Sequence, residues 1–284
     1  MNRKLKAVLL ILSAAFFFSL MNVFVNLSGD LPTIQKSFFR NIIAAMFALI
    51  ILLRKREKVV VKKNAWLYLI LRSGFGTLGI ICNFYAIDHL ILADATMLNK
   101  MSPFFAILFS FLILREKITK EQIALVIVAF IGSLFIIKPA FNLDIIPSLI
   151  GLSGGICAGM AYTNVRKLGS LNVKGPFVVF FFSAFSSLIN LPFMLNSYQS
   201  MTNMQLIYLL LAGLSAAGAQ FSLTVAYFNA PAKEISIFDY SQIIFSAFLG
   251  FVLFKQTIDI YSAIGYVIII GVAYIMFKYN QAHA

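Results

Sequence analysis

Ten apolar runs, each close to the length of a membrane-spanning helix, dominate this sequence. A helix needs about 20 apolar residues to cross the hydrocarbon core of a bilayer. Hydrophobic residues make up 61% of the 284 residues and charged residues 12%, whereas soluble domains average about 45–50% and about 25%. The pattern therefore predicts an all-α polytopic membrane protein with ten transmembrane helices and no additional soluble domain. The predicted spans are 6–27, 33–53, 66–87, 93–114, 120–138, 146–165, 174–194, 204–227, 233–254 and 258–277.

Basic residues are concentrated in alternate loops, and this asymmetry predicts the orientation. Lysine and arginine are enriched in cytoplasmic loops. With the N-terminus inside, the cytoplasmic segments contain most of the 23 basic residues, whereas the outer loops contain Lys138 and Lys255 beside Asp30, Asp88, Asp94, Asp144 and Asp259. We expect the chain to lie in the inner or plasma membrane of the cell, with both termini in the cytoplasm. The formal net charge of +13 then reflects contact with the membrane surface, and no nucleic-acid partner is expected.

The chain superimposes on itself when it is shifted by 140 residues. Ala86 then falls on Ala226, and the segment 96–99 falls on 236–239. A repeat of five helices is odd in number, so the second copy must enter the membrane from the opposite side. The sequence thus predicts 5+5 inverted-topology repeats, 1–140 and 141–284, a common transporter architecture with its binding site between the repeats.

Several segments resemble the drug/metabolite transporter superfamily, specifically its EamA-type members. They are Phe39-Arg40-Asn41, Arg72-Ser73-Gly74-Phe75-Gly76, Asn83-Phe84-Tyr85-Ala86, Leu92-Ala93-Asp94-Ala95-Thr96, Ser102-Pro103-Phe104-Phe105 and Leu114-Arg115-Glu116-Lys117. The family usually has Leu-Gly-Glu after the fourth helix. Arg115 replaces that glycine here, and Gln256 replaces the glutamate in the second repeat.

The resemblance implies a secondary active transporter that moves a small metabolite by alternating access, through proton coupling or exchange. It leaves the substrate open, because members carry very different compounds. A lipid scramblase or flippase and a non-transport membrane scaffold remain as alternatives. An enzyme is not expected, because the sequence has no metal-binding cluster, no nucleophile motif and no phosphate-binding loop, and no cofactor is expected.

Charged residues inside the predicted spans are the best indicators of a site, because each costs about 2.5–3.5 kcal/mol at a helix centre. Four were identified: Arg40, Arg72, Lys100 and Asp239. The two arginines face either a polar cavity or the headgroups by snorkelling. Lys100 and Asp239, at near-equivalent repeat positions, form either a functional pair or a structural ion pair.

Polar residues on the same helices complete the predicted substrate site. They are Asn99, Asn83, Tyr85, Tyr240 and Gln220. Thr96, Asn99, Lys100 and Pro103 share one side of the predicted fourth helix at helical spacing. Pro103 marks either a hinge or a simple kink in that helix. Three cations against one carboxylate favour an anionic or zwitterionic small-molecule substrate, such as an amino acid or carboxylate. Asp239 is the candidate to bind an amine or to carry a coupled proton.

The predicted topology can be tested with a reporter fused to the C-terminus after Ala284. The basic loops place both termini inside. A reporter that works only in the cytoplasm should therefore be active at the C-terminus, and a reporter that works only outside the cell should be inactive there. An externally active C-terminal reporter would contradict the orientation.

Overall fold

The computed structural model describes residues 3–55, 61–114, 119–137, 145–229 and 238–282. Every named regular element within these ranges is an α-helix. The helices are α1 (Arg3–Leu27), α2 (Thr33–Lys55), α3 (Ala65–His89), α4 (Leu92–Asn99), α5 (Ser102–Leu114), α6 (Lys120–Ile137), α7 (Ile145–Ser170), α8 (Gly175–Asn196), α9 (Asn203–Asn229), α10 (Ser241–Phe254) and α11 (Ile260–Ala282).

Eight helical segments in the described ranges are long and apolar enough to cross a membrane. Each of these eight segments matches a predicted span to within a few residues. The predicted fifth and ninth spans are not among the eight. The fifth corresponds to α6, and the ninth begins outside the described residues and continues into α10. The eight segments are Leu5–Leu27, Thr33–Arg54, Ala65–His89, Leu92–Ile113, Ile145–Ser170, Gly175–Asn196, Asn203–Leu223 and Ile260–Tyr279.

Local sequence explains where several helices begin and end. Pro176 lies in the first turn of α8, where a missing backbone N–H costs nothing because that group has no partner inside the helix. Gly29 adopts a left-handed conformation, φ 67°, in the turn after α1, which glycine does without steric penalty. Lys255 ends α10 with φ 55°, so the chain turns sharply before α11.

The helices pair in a pattern that relates the two halves of the chain. α1 packs against α9 and α3 packs against α7, while α2 packs against α8 and α6 against α11. Under the shift of 140 residues, α1 corresponds to α7 and α3 to α9. The α1–α9 pair therefore corresponds to the α3–α7 pair. The α2–α8 and α6–α11 pairs each join a helix to its own counterpart.

The fourth span consists of two helices, with a break next to Pro103, where the sequence predicted either a hinge or a kink. α4 ends at Asn99, Lys100 and Met101 form a turn, and α5 begins at Ser102. Pro103 lacks an N–H and cannot donate to the carbonyl of Asn99, so the helix cannot continue without a lost hydrogen bond. A second break lies at Tyr240, at the equivalent position of the other half.

Glycines of α7 allow that helix to lie directly against the break in the fourth span. A Cβ atom on Gly155 would lie 2.5 Å from the carbonyl oxygen of Leu98, and one on Gly159 would lie 2.8 Å from that of Ser102. Small residues let helices approach closely in membranes. The break is thus held by backbone contact with α7.

Asp94 was expected in an outer loop, and the structure corrects this. It lies in α4 and is 6% exposed. Its carboxylate accepts hydrogen bonds from the hydroxyl of Tyr266 and, at 3.1 Å, from that of Ser262. Because α4 begins at Leu92, Asp94 is in its first turn, where a negative charge is favourable.

Sequence analysis also missed a second ion pair. The Lys36 ammonium, fully buried in α2, donates to Asp88 at the end of α3 over 2.6 Å. Lys36 follows the start of its helix so closely that its sequence position resembles that of an ordinary loop charge. This pair joins α2 to α3 away from the cavity described below.

Gly155→Ala is expected to destabilise the protein, because the added methyl group meets the backbone of Leu98. Overpacking of this kind costs about 1–3 kcal/mol. Gly74→Ala is the matched control, since a Cβ atom there has nothing within 4 Å and alanine is favoured in helices by up to about 1 kcal/mol. Thermal unfolding in detergent should give a lower midpoint for Gly155→Ala and an unchanged or higher one for Gly74→Ala. Equal midpoints would contradict the close contact.

Candidate functional site

A polar cavity lies in the interior, where side chains from eight of the described helices meet. Its volume is about 80 Å³, which is below the range of about 300–1,000 Å³ typical of small-molecule sites. Apolar walls include Phe18, Phe84 and Phe182. The polar lining residues are Asn22, Arg40, Arg72, Asn83, Asn99, Lys100, Tyr162, Gln220 and Gln242.

Arg40 and Arg72 face this cavity, which decides between the two alternatives left by the sequence. Their exposed fractions are 1% and 4%, so neither side chain snorkels to a surface. Both guanidinium groups lie near the ring of Phe182, with their central carbon atoms 5.9 Å and 3.9 Å from its centroid. A cation over an aromatic face is stabilised by about 0.5–2 kcal/mol. The Phe182 ring of α8 therefore lies close to one cation from α2 and one from α3.

Gly76 leaves room for this arrangement. A Cβ atom at that position would collide with the terminal nitrogen of Arg72 and would lie 2.7 Å from the ring of Phe182. Gly76 lies one helical turn after Arg72, on the same side of α3. The glycine at this position therefore has a steric reason.

A hydrogen-bond network between α2 and α8 supports Arg40. Its guanidinium donates to the side-chain oxygen of Asn41. The Asn41 amide in turn donates to the Ser37 carbonyl at 2.8 Å and to the Ser186 hydroxyl at 2.9 Å. Asn190 donates to the hydroxyl of Ser37 at 2.9 Å. These hydrogen bonds fix the position of Arg40 between α2 and α8.

Neither arginine is neutralised by a carboxylate in the part of the chain that the structure describes. The ion pairs found there involve Lys36 and Lys100, and the Nε atoms of both Arg40 and Arg72 have no hydrogen-bond partner. An unpaired buried charge is costly unless a counter-charge arrives. The arrangement is therefore suited to bind an anion, and guanidinium groups bind carboxylates in a bidentate manner.

Lys100 and Asp239 form a buried ion pair beside the cavity. The Lys100 ammonium donates to Oδ2 of Asp239 over 2.6 Å, and the two residues are 4% and 8% exposed. Oδ1 of Asp239 has no hydrogen-bond partner among the described residues. The Tyr240 hydroxyl donates to the backbone carbonyl of Lys100 at 3.1 Å. These two contacts, and a hydrogen bond at 3.0 Å from the Thr96 hydroxyl to that of Ser246, join the fourth span to the ninth.

The structure places most, but not all, of the predicted site residues at the cavity. Asn83, Asn99 and Gln220 line it together with Arg40, Arg72 and Lys100. Asp239 and Tyr240 contact Lys100 without being lining residues. Tyr85 is elsewhere: its ring stacks on that of His89, with centroids 4.1 Å apart, so it has no part in the site proposed below.

Three contributors were missed by the sequence reasoning. Tyr162 and Gln242 line the cavity, and the Phe182 ring lies close to both arginine side chains. None of them is charged, and Phe182 is one of 30 phenylalanines. Gln242 directly follows the break at Tyr240, so a prediction of that break would have drawn attention to it.

Apolar spans around a charged interior cavity define a class of protein, the multi-pass membrane protein with a polar internal cavity. Comparison with known proteins agrees. The model of the EamA-like transporter family matches residues 5–138 and again 145–278. The chain belongs to the EamA-like transporter family, and the resemblance to EamA-type members of the drug/metabolite transporters is confirmed.

Several relatives of the chain are named as transporters. The chain is 34% identical over 266 residues to the pseudopaline exporter CntI of Pseudomonas aeruginosa, covering 93% of each protein. It is 26% identical over 279 residues to a riboflavin transporter of Brucella anthropi, covering 95% of this chain and 97% of the relative. A solved crystal structure with 16% identity superimposes with a TM-score of 0.70 over 97% of this chain and 98% of the other. That last similarity concerns the fold alone.

Phe182→Leu is expected to expose Arg72, because the ring that covers its guanidinium is lost. Labelling of Arg72 by phenylglyoxal, followed by mass spectrometry, should become faster in this variant. Phe181→Leu is the matched control, since Phe181 contacts the aromatic rings of Trp66, Phe177 and Phe185. Unchanged Arg72 labelling in Phe182→Leu, or an equal increase in both variants, would contradict the role of the ring.

Proposed function

We propose that this protein is a secondary active transporter that binds a carboxylate of a small anionic or zwitterionic solute between Arg40 and Arg72. The observation that carries the proposal is the pair of buried guanidinium groups with no carboxylate partner in the described structure. Both arginines line the cavity, and their Nε atoms have no hydrogen-bond partner in the described structure. A bound carboxylate supplies the missing counter-charge and accepts charge-assisted hydrogen bonds from both residues.

The remaining lining groups suit the rest of such a solute. Asn22 and Asn83 each have a side-chain oxygen without a hydrogen-bond partner in the described structure, and these oxygens can accept hydrogen bonds from an ammonium or hydroxyl group. Phe18 and Phe84 offer apolar surface. The cavity thus combines cationic donors, amide acceptors and aromatic walls, which matches an amino acid or a related carboxylate.

The proposed mechanism is alternating access by two inverted repeats, 1–140 and 141–284, in ten spans. Two observations support it: the pairing of α1 with α9 is the counterpart of that of α3 with α7, and the breaks at Lys100 and Tyr240 occupy equivalent positions. Halves of similar structure can exchange roles, so that the cavity opens to either side at similar free energy. We place the carrier in the cell membrane with both termini in the cytoplasm.

Binding can be tested on purified protein by thermal stabilisation, because a bound ligand raises the unfolding midpoint. The probes are L-glutamate, succinate and the cation choline, with pseudopaline and riboflavin added because relatives are named for them. We expect stabilisation by at least one carboxylate and none by choline. Saturable accumulation of the same radiolabelled carboxylate in proteoliposomes then separates a carrier from a scramblase or a scaffold.

Arg40→Gln and Arg72→Gln are expected to weaken binding of the stabilising carboxylate by about 10- to 150-fold each, the equivalent of about 1.5–3 kcal/mol for a hydrogen bond to a charged group. Arg54→Gln is the matched control, because Arg54 is an exposed arginine on the same helix as Arg40. Stabilisation by choline but by no carboxylate, or wild-type affinity in both cavity variants, would contradict the proposed function.

A further inference from the structure

We propose that the ion pair between Lys36 and Asp88, together with the hydrogen bond from Asn26 to Ile87, is a gate that closes the cavity toward one end of the helix bundle. This gate end is the end at which α1 and α3 finish and α2 begins. The inference rests on the proposed function, because a carrier needs such a gate and a scaffold does not. It adds the place of closure and the contacts that close it.

The gate residues lie one helical turn beyond the cavity wall on three helices at once. Each of them is four positions from a residue that lines the cavity on the same helix. The pairs are Lys36 with Arg40 on α2, Asn26 with Asn22 on α1, and Ile87 and Asp88 with Asn83 and Phe84 on α3. Residues four apart share one face of a helix and are displaced by about 5.4 Å along its axis. The gate residues therefore form a layer next to the cavity at the gate end.

Two polar contacts hold this layer together. The Lys36 ammonium donates to Oδ1 of Asp88 over 2.6 Å. The lysine side chain is fully buried, whereas that of Asp88 is 19% exposed. The Asn26 amide donates to the carbonyl of Ile87 at 3.1 Å, which lies in the last turn of α3, where the helix itself supplies no partner. When the helices separate, water can take the place of both contacts.

The packing around the gate favours a movement of α3 relative to α1 and α2. α1 packs extensively against α9, α2 against α8 and α3 against α7, whereas α3 makes much less contact with α1 and α2. The ring and cation contacts of α3 with α8 involve Trp66 and Arg72, in the half of α3 away from the gate. At the gate end, Met21 and Phe84 belong to one apolar cluster. Opening therefore separates a small interface and leaves the extensive ones intact.

The size of the cavity agrees with closure at this end. At about 80 Å³ it is smaller than typical small-molecule sites, so a solute as large as an amino acid requires the surrounding helices to separate. Separation of α3 from α1 and α2 widens the space between Asn22 and Asn83. Because Arg40 lies one turn from Lys36, this opening leads directly to the proposed anion site.

The second repeat has no equivalent of this ion pair. Under the shift of 140 residues, Lys36 and Asp88 correspond to Pro176 and Phe228, and neither of these residues carries a charge. With the proposed inversion of the repeats, equivalent positions lie at opposite ends of the bundle. The ion pair therefore stabilises closure at the gate end alone, and we expect the cavity to rest closed there.

The gate can be tested by cysteine labelling from each side of the membrane, in intact cells and in inside-out vesicles. The probe is Asn22→Cys in a Cys82→Ala/Cys157→Ala background, and the reagent is a membrane-impermeant methanethiosulfonate. A separate His89→Cys variant in the same background identifies the side that carries the gate, because His89 is exposed at that end. With the ion pair intact, labelling of Asn22→Cys from that side should be slow.

Asp88→Asn should accelerate this labelling by up to about 100-fold, because the closed state then holds a buried cation without its counter-charge. Gln35→Ala is the matched control. Gln35 precedes Lys36 at the same end, and it shares hydrogen bonds of 2.9 Å and 3.0 Å with the backbone of Gln199, just after α8. This variant loosens α2 from the end of α8 and not from α3, so labelling should stay slow.

If Asp88→Asn does not fold, Lys36→Met takes its place, since it removes the ion pair without leaving a buried cation, and it should also accelerate labelling. Fast labelling with the ion pair intact, no acceleration in the variant used, or equal acceleration by Gln35→Ala would overturn the gate. Because labelling needs no substrate, any of these results would leave the proposed function standing. Failure of the carboxylates to stabilise the protein would instead overturn the proposed function, and with it the role of the gate in transport.

Discussion

The cost of placing positive charge in a low-dielectric interior is the constraint on which the rest of this structure depends. Among the described residues, the buried cationic side chains are Lys36, Arg40 and Arg72 in helices and Lys100 in the turn between two helices. Each must be compensated, because an isolated charge there is strongly unfavourable. Lys36 and Lys100 are compensated by carboxylates. Arg40 and Arg72 have an aromatic ring instead, and this difference is the basis of the proposed anion site.

Close backbone packing makes that arrangement possible. Glycines of α7 lie against the break in the fourth span, and Gly76 leaves space for Arg72 beside Phe182. Polar contacts between α2 and α8 fix Arg40. Small residues bring these helices close together, and buried charged side chains hold them apart at one place. The cavity is the space that remains there. In a carrier such a space must open to either side in turn, so it has to be polar enough to hold water and a solute.

The sequence could predict most of the fold, because a membrane restricts spanning segments to apolar helices of known length. Eight predicted spans agree with described helices to within a few residues, and the family assignment is confirmed by two matches of one family model. Breaks within spans could not be predicted in the same way. Lys100 and Met101 lie inside an apolar run with the same average hydropathy as a continuous helix, and Pro103 is compatible with both a kink and a new first turn.

The site was predicted in part for a related reason. Charge inside a span is rare enough to be informative, and Arg40, Arg72, Lys100 and Asp239 were found by this criterion alone. Uncharged contributors such as Phe182 and Tyr162 have no such mark, because their role follows from which helices become neighbours. Asp94 was placed in a loop, and the buried position of Lys36 was missed. Both residues lie in the first turn of a helix, where position in the sequence does not distinguish a loop charge from a buried one.

The most direct test of the central claim is an experimental structure of the protein determined with saturating L-glutamate. The account predicts density for a carboxylate within hydrogen-bond distance of the guanidinium groups of both Arg40 and Arg72, beside the ring of Phe182. Density for the solute outside the cavity, or inside it with both guanidinium groups turned away to other partners, would contradict the account.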